Sequence, residues 1–163
     1  MVEKQIKKEN VMLREAFYEH PQYKAKDKIT GKWVEGFYSC ITDDFTPINI
    51  HFITTFKKLD NGEIIPTGTY SIIPESLCRN TGTKDKNGNY IWEYDICNCP
   101  KRGSAFTHCV VIYNPIKARF DVRAMEVSFP MMLDESLNYT DISINGLDYE
   151  VIGNYIDTPE AVC

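Results

Sequence analysis

The stretch Asn80-Thr-Gly-Thr-Lys-Asp-Lys-Asn-Gly-Asn-Tyr-Ile-Trp-Glu-Tyr-Asp-Ile-Cys97 decides how the rest of the chain is read. A loop containing Gly82 leads into Asp85-Lys86-Asn87-Gly88, a tight-turn sequence in which glycine takes a positive φ without steric cost. Ile91, Trp92, Tyr94 and Ile96 follow in a run that predicts a strand anchored in a β core. The stretch specifies a turn and a strand, and it contains no catalytic constellation.

Working outward, the same grammar repeats. Tyr23–Lys26 predicts a short strand, Asp27–Gly31 a turn, and Trp33–Cys40 a second strand, together a hairpin. Asp43–Pro47 reads as loop. Ile48–Phe56 alternates and is rich in Ile, Phe and Thr. Asp60-Asn61-Gly62 is a tight turn. Ile64-Ile65 precedes a break at Pro66 and Gly68, and Tyr70–Ile73 resumes as strand. Pro74 fits the first position of a turn or a single helical turn. Downstream, Phe106–Tyr113 and Phe120–Arg123 predict strands, Glu126–Leu133 reads as strand or loop, and Asp141–Ile144 with Leu147–Ile152 predicts a last hairpin around Asn145-Gly146. Residues 1–20 carry Val2, Ile6, Leu13, Ala16 and Phe17 near one helical face, up to the stop at His20-Pro21. Thr158-Pro159-Glu160 has the form of a helix start. Eight to ten short strands at close spacing make the chain mainly β, of barrel or sandwich type. No long amphipathic helix separates the strands, so a parallel βαβ sheet is excluded. The expected organisation is an N-terminal helix over 1–22, a small β region over 23–75 and a β-barrel domain over 76–163.

The composition agrees. Of 163 residues, 43% are hydrophobic and 25% charged, the balance of a folded globular protein. Ten Tyr, eight Phe and two Trp favour half-buried sheet faces. Residues 134–163 hold seven acidic side chains and no Lys, Arg or His, so 16 acidic residues face all 18 Lys and Arg before Asp134. This argues against a uniformly basic nucleic-acid surface and leaves room for a local basic patch or head-to-tail self-association. No apolar run reaches the length of a membrane span, and Met1–Lys8 has no signal-peptide core, so a cytoplasmic protein without a membrane partner is expected. The six cysteines then read as mostly reduced thiols, not a disulfide framework.

Three constellations invite chemistry. Cys97, Cys99, His108 and Cys109 are four soft ligands in thirteen residues, but their spacing is not that of a zinc knuckle, and adjacent His108 and Cys109 would point to opposite faces of a strand. Buried or half-buried strand thiols are the plainer reading, and no metal or cofactor is expected. A Cys–His nucleophile would need one of His20, His51 or His108, and none stands in a recognisable motif. Glu93 and Asp95 would share one strand face and need a cation, expected from Lys84, Lys86, Lys101 or Arg102. Lys84, Lys86, Lys101, Arg102, Lys117, Arg119 and Arg123 share the second half of the chain with Tyr90, Trp92, Phe106, Tyr113 and Phe120. That mixture suits single-stranded nucleic acid, or equally a solvated face over an aromatic core. No phosphate loop, dinucleotide fingerprint or metalloprotease helix is present.

Three patches together resemble the YopX family of phage and prophage proteins. They are Tyr23–Asp27 with Thr30–Phe37; Ile73–Leu77 with Thr81–Gly88 and Ile91–Ile96; and Tyr149–Tyr155 with Pro159-Glu160. The resemblance runs from about Tyr23 to Val162. It implies a β-rich fold with an SH3-like C-terminal barrel, a phage or prophage origin, self-association, and no catalytic residues. It also implies glycine where this chain has Tyr94, a position of bend or close backbone approach. The expected function is a non-enzymatic module acting through protein–protein contacts, as a homo-oligomer or with a host or phage protein. The alternative is a nucleic-acid-binding regulator that uses a basic and aromatic barrel face.

Overall fold

The computed structural model describes residues 20–43, 46–98, 108–124, 139–141 and 149–158. The chain is mainly β, with antiparallel pairing throughout, and divides into two compact units, residues 1–77 and 78–163. The expected N-terminal helix, the helix start at Thr158-Pro159-Glu160 and the ambiguous Glu126–Leu133 fall on residues outside those described, apart from His20, Pro21, Gln22 and Thr158.

The first unit is a staggered four-stranded sheet. Strands β1 (Tyr23–Lys26), β2 (Trp33–Asp43), β3 (Thr46–Lys58) and β4 (Ile64–Ser71) lie in the order β4-β3-β2-β1. The β1–β2 turn closes as expected: Gly31 takes φ 68° and donates its N–H to the Asp27 carbonyl. The Asp27 carboxylate accepts the Thr30 hydroxyl and N–H. A 3-10 turn at Pro74–Ser76 is held to β1 through Ser76, whose hydroxyl accepts the Lys26 N–H at 2.7 Å and donates to the Ile73 carbonyl.

Two expectations need correction here. Of the expected loop Asp43–Pro47, the described residues belong to strands: β2 runs to Asp43 and β3 starts at Thr46, while residues 44 and 45 lie outside those described. Nor do Pro66 and Gly68 break β4. The strand passes through both, with a register shift opposite Thr55 and Phe56. A bulge next to a proline is the ordinary way for a strand to lose one ladder donor without ending.

Among the described residues the core of this unit is Ala25, Ile53 and Ile72, flanked by Tyr23, Val34, Tyr38 and Leu77. Gly36 is required where it stands. A Cβ there would sit 2.3 Å from the Thr54 carbonyl oxygen of β3.

The second unit holds β5 (Cys78–Lys84), β6 (Tyr90–Trp92), β7 (Asp95–Asn98), β8 (His108–Asn114), β9 (Arg119–Ala124), β10 (Tyr139–Asp141) and β11 (Glu150–Asn154). β5 and β6 form a hairpin, and the remaining five make a sheet ordered β10-β9-β8-β7-β11. No closed barrel is present among the described residues. The segment from Ile91 to Cys97 is not one strand but two, separated by a turn at Glu93-Tyr94. Residues 142–148 of the expected last hairpin lie outside those described; of its described residues, Asp141 ends β10, which pairs with β9, and Glu150–Ile152 belong to β11, which pairs with β7 at the opposite edge of the sheet. The core is Ile91, Cys97, Cys109, Val111, Val122 and Tyr149, with Phe120 and Val151 packed against it.

Candidate functional site

The signature stretch is organised by buried carboxylates. Asp85 is fully buried, and its Oδ1 accepts the N–H groups of Asn87 and Asn89, both at 2.9 Å. Its Oδ2 accepts the Val151 N–H at 3.2 Å. Lys86 donates its N–H to the Tyr149 carbonyl, and its ammonium meets Glu150 at 2.7 Å. Residues 85–89 are thus sewn to β11. Burial alone would raise the Asp85 pKa, but the N–H groups of Asn89, Val151 and Asn87 outweigh it and hold the carboxyl below its ordinary value. Glu150 is likewise lowered, by its bonds to Lys86 and Asn98.

The turn at Glu93-Tyr94 is built in the same way. Tyr94 takes φ 66°, the left-handed region that a side chain rarely occupies. Two backbone bonds hold it there: its N–H reaches the Val111 carbonyl at 2.7 Å, and its carbonyl accepts the Tyr155 N–H at 2.8 Å. The position where family resemblance implies glycine is therefore a genuine glycine-type conformation, filled by tyrosine. Asp95 closes the turn by accepting the Trp92 N–H and the Asn154 side-chain amide.

Glu93 and Asp95 do not share one strand face. Glu93 finds its cation in Arg79, a residue absent from the expected set. The guanidinium makes two bonds to the carboxylate, at 2.8 and 2.9 Å, while its plane lies 3.9 Å from the Tyr113 ring centroid. Lys86 is engaged with Glu150, Lys84 sits over the Tyr90 ring, and Lys101 and Arg102 lie outside the described residues. Asp121, also fully buried, accepts from Asn114 and from Arg119. Each oxygen of Asp85, Asp95 and Asp121 accepts at least one hydrogen bond. These groups are tied to backbone and side-chain donors, and the arrangement positions loops; it is not poised to move protons.

The cysteine cluster is only partly brought together. Cys97 and Cys109 are direct cross-strand partners inside the core, and Asn98 faces His108, so His108 points away from both thiols. Cys99 lies outside the described residues. Among the described residues no group of three or more His, Cys, Asp or Glu could hold a metal ion. The basic and aromatic set is largely committed as well: Trp92 is buried, Tyr113 is covered by Arg79, and Arg119 is spent on Asp121. Phe106 lies outside the described residues.

Sequence reasoning passed over a surface feature of the first unit. β1 pairs with β2 only through Trp33–Gly36, and β4 reaches β3 only from Phe52 onward. Residues 38–43 and 46–50 therefore form a two-stranded ribbon whose outer edges have no strand partner among the described residues. On it, Ile41 stands opposite Ile50, and the two are 56% and 49% exposed. Both isoleucines were visible in the sequence, but the stagger that uncovers them was not.

Fold and site together define a mainly β protein in which buried carboxylates fix the turns and no catalytic set is assembled among the described residues. The family model for the YopX protein matches residues 22–162, and the chain belongs to the YopX family. A solved structure, that of protein EF1440 from Enterococcus faecalis, is similar at 23% identity with a TM-score of 0.48, over 88% of this chain and 99% of that one. No curated protein matches the chain. No helix of the described residues is long and apolar enough to cross a membrane.

Proposed function

We propose that this chain is a phage- or prophage-derived, non-enzymatic binding module that works through protein–protein contacts, with a second copy of itself as the first partner. The observation that carries the reading is the exposed Ile41–Ile50 pair on a ribbon whose outer edges have no strand partner among the described residues. An open strand edge offers unpaired N–H and C=O groups that another strand can satisfy, and two copies related by a two-fold axis can do so antiparallel and self-complementarily. The exposed isoleucines supply the apolar contact beside those hydrogen bonds. The charge division also suits self-association, since residues 134–163 are wholly acidic among their charged side chains and the remainder is slightly basic. In this reading the second unit is the SH3-like part: its meander β7-β8-β9-β10, with β11 returned beside β7, serves as scaffold. The nucleic-acid alternative has less support, because most of its rings and cations are already engaged with each other or with carboxylates.

The test is light-scattering mass across a concentration series, for the native chain and for Ile41→Lys with Ile50→Lys. The native chain is expected to self-associate and the double variant to remain monomeric and folded. A native chain that stays monomeric at every concentration, or a double variant that associates equally well, removes the proposal.

A further inference from the structure

The sheet of the first unit has two faces, and one of them carries its core. The other carries Trp33, Phe37, Phe52 and Phe56. Alternation sets Trp33 and Phe37 opposite in direction to Val34 and Tyr38, and Phe52 opposite to Ile53. Phe56 joins them, its ring 5.5 Å from that of Phe37 in an edge contact. All four rings are half-buried, yet the core among the described residues includes none of them. Farther out on the same face, Ile41 and Ile50 are 56% and 49% exposed. Burial therefore falls off along one apolar face, from its root beside β1 to the tip of the ribbon. At the root, the ammonium groups of Lys24 and Lys26 stand 5.0 and 5.5 Å from the Trp33 ring centroid.

The chain enters the sheet at this root. The Gln22 N–H bonds to the Gly36 carbonyl at 3.1 Å, and His20 lies in a bend just before it. Residues 1–19 precede that bend, and the compact unit that holds the sheet begins at residue 1, so they belong with it. As a helix they would span about 28 Å. On the helical wheel, Val2, Ile6, Leu13, Ala16 and Phe17 make one apolar stripe; Glu9 falls within it, and Lys4, Lys7, Lys8 and Arg14 all fall outside. Reach and charge agree. Glu9 would lie about 12 Å along the helix from Phe17, and Trp33 lies about 13 Å along β2 from Phe37. We infer that residues 1–19 pack in cis on this aromatic face as an amphipathic helix antiparallel to β1. Phe17 and Leu13 lie against Phe37, Phe52 and Phe56, and Glu9 lies toward Lys24 and Lys26. This course covers the half-buried rings and leaves Ile41 and Ile50 to solvent, in keeping with their exposure. It confines the open apolar surface of the sheet to the tip of the ribbon. The inference does not rest on the ribbon's reading as a self-association edge, since the occupant is the chain's own segment and the rings it covers are not the exposed isoleucines.

The test is trypsin cleavage after Arg14 in the full chain, followed by intact mass, with acrylamide quenching of Trp33 fluorescence read in a Trp92→Phe background. The native chain is expected to resist cleavage there and to shield Trp33. Phe17→Asp, which leaves every residue of the sheet in place, is expected to speed cleavage about tenfold and to raise the quenching of Trp33 about twofold. Phe37→Asp, on the other side of the contact, is expected to do the same. Glu9→Lys is expected to speed cleavage about threefold, and Lys24→Glu added to it to restore protection. Ile41→Lys with Ile50→Lys is expected to leave cleavage unchanged, which keeps this outcome separate from that of the self-association test. A native chain cut after Arg14 as fast as Phe17→Asp overturns the inference. So does protection that rises with protein concentration, which would seat the segment on a second copy, and so does protection lost in the double isoleucine variant, which would lay it across the tip.

Discussion

The two units solve the same problem, keeping short strands in register, by different means. The first relies on length. β2 and β3 are 11 and 13 residues long, and among the described residues their ladder covers a core of three buried apolar residues. Its exacting position is Gly36, where two backbones approach too closely for any side chain. The second unit has strands of three to seven residues, too short to hold their own register. There, buried carboxylates reach across turns and accept backbone N–H groups that no strand partner satisfies. Long ladders tolerate a rough local sequence, whereas short ones depend on single polar atoms.

That contrast can be broken experimentally, and the chain supplies the probes: one tryptophan lies in each unit, Trp33 and Trp92. The largest effect is expected at Asp85. Asp85→Ala leaves the N–H groups of Asn87, Asn89 and Val151 without their acceptor, at a cost of about 3 kcal/mol or more. Urea unfolding followed by Trp92 fluorescence in a Trp33→Phe background should show the loss in the second unit, with the first unchanged. The same carboxylate gives the second unit an acid limit. Its folded pKa lies below the unfolded value, so its contribution is complete above the unfolded pKa and is lost as pH falls through the folded one. Asp85→Asn should flatten the stability–pH curve of that unit in this acid range. A curve as steep as native would show that other carboxylates carry the transition.

Next in size is Gly36→Ala, expected to cost about 2 kcal/mol in the first unit through the clash with Thr54. If it costs no more than an ordinary surface change, the close approach of β2 and β3 is not what limits that unit. The smallest effect runs the other way. Tyr94→Gly releases a side chain from the left-handed region and should stabilise the second unit by about 1 kcal/mol. A loss instead would show that the tyrosine ring contributes more by packing than its backbone costs.

Much of this was legible in the sequence, for local reasons. Gly31, Gly62 and Gly88 take positive φ at the turns their neighbours announced. Tyr94 was marked by family resemblance as a glycine position and takes the conformation expected of one. What was not legible depended on register. Lys84 faces Tyr90, but Asn80 faces Trp92, so four steps along β5 match only two along β6, with Gly82 at φ 76° in the excess. Counting back from the Asn87-Gly88 turn without that bulge does not bring Arg79 opposite Glu93, and the lysines nearer the turn become the natural candidates. Ile41 and Ile50 were missed similarly, since only the β2–β3 register makes them neighbours.

The bond from the Val151 N–H to Asp85 has a consequence for synthesis. It joins residues 66 positions apart and ties the signature turn to the last described strand. On the ribosome, where chains emerge N-terminus first, the strands of the first unit are all available once residue 77 is clear. The second unit must hold β5 to β9 without their closing strand until residues 149–154 emerge. During that interval the Asp85 carboxylate lacks one of its backbone donors, and Cys97 on β7 lies at an uncovered edge. Completion of the second unit is therefore timed by translation of its final segment, and a stalled ribosome short of Val151 would present a finished first unit beside an unfinished second one.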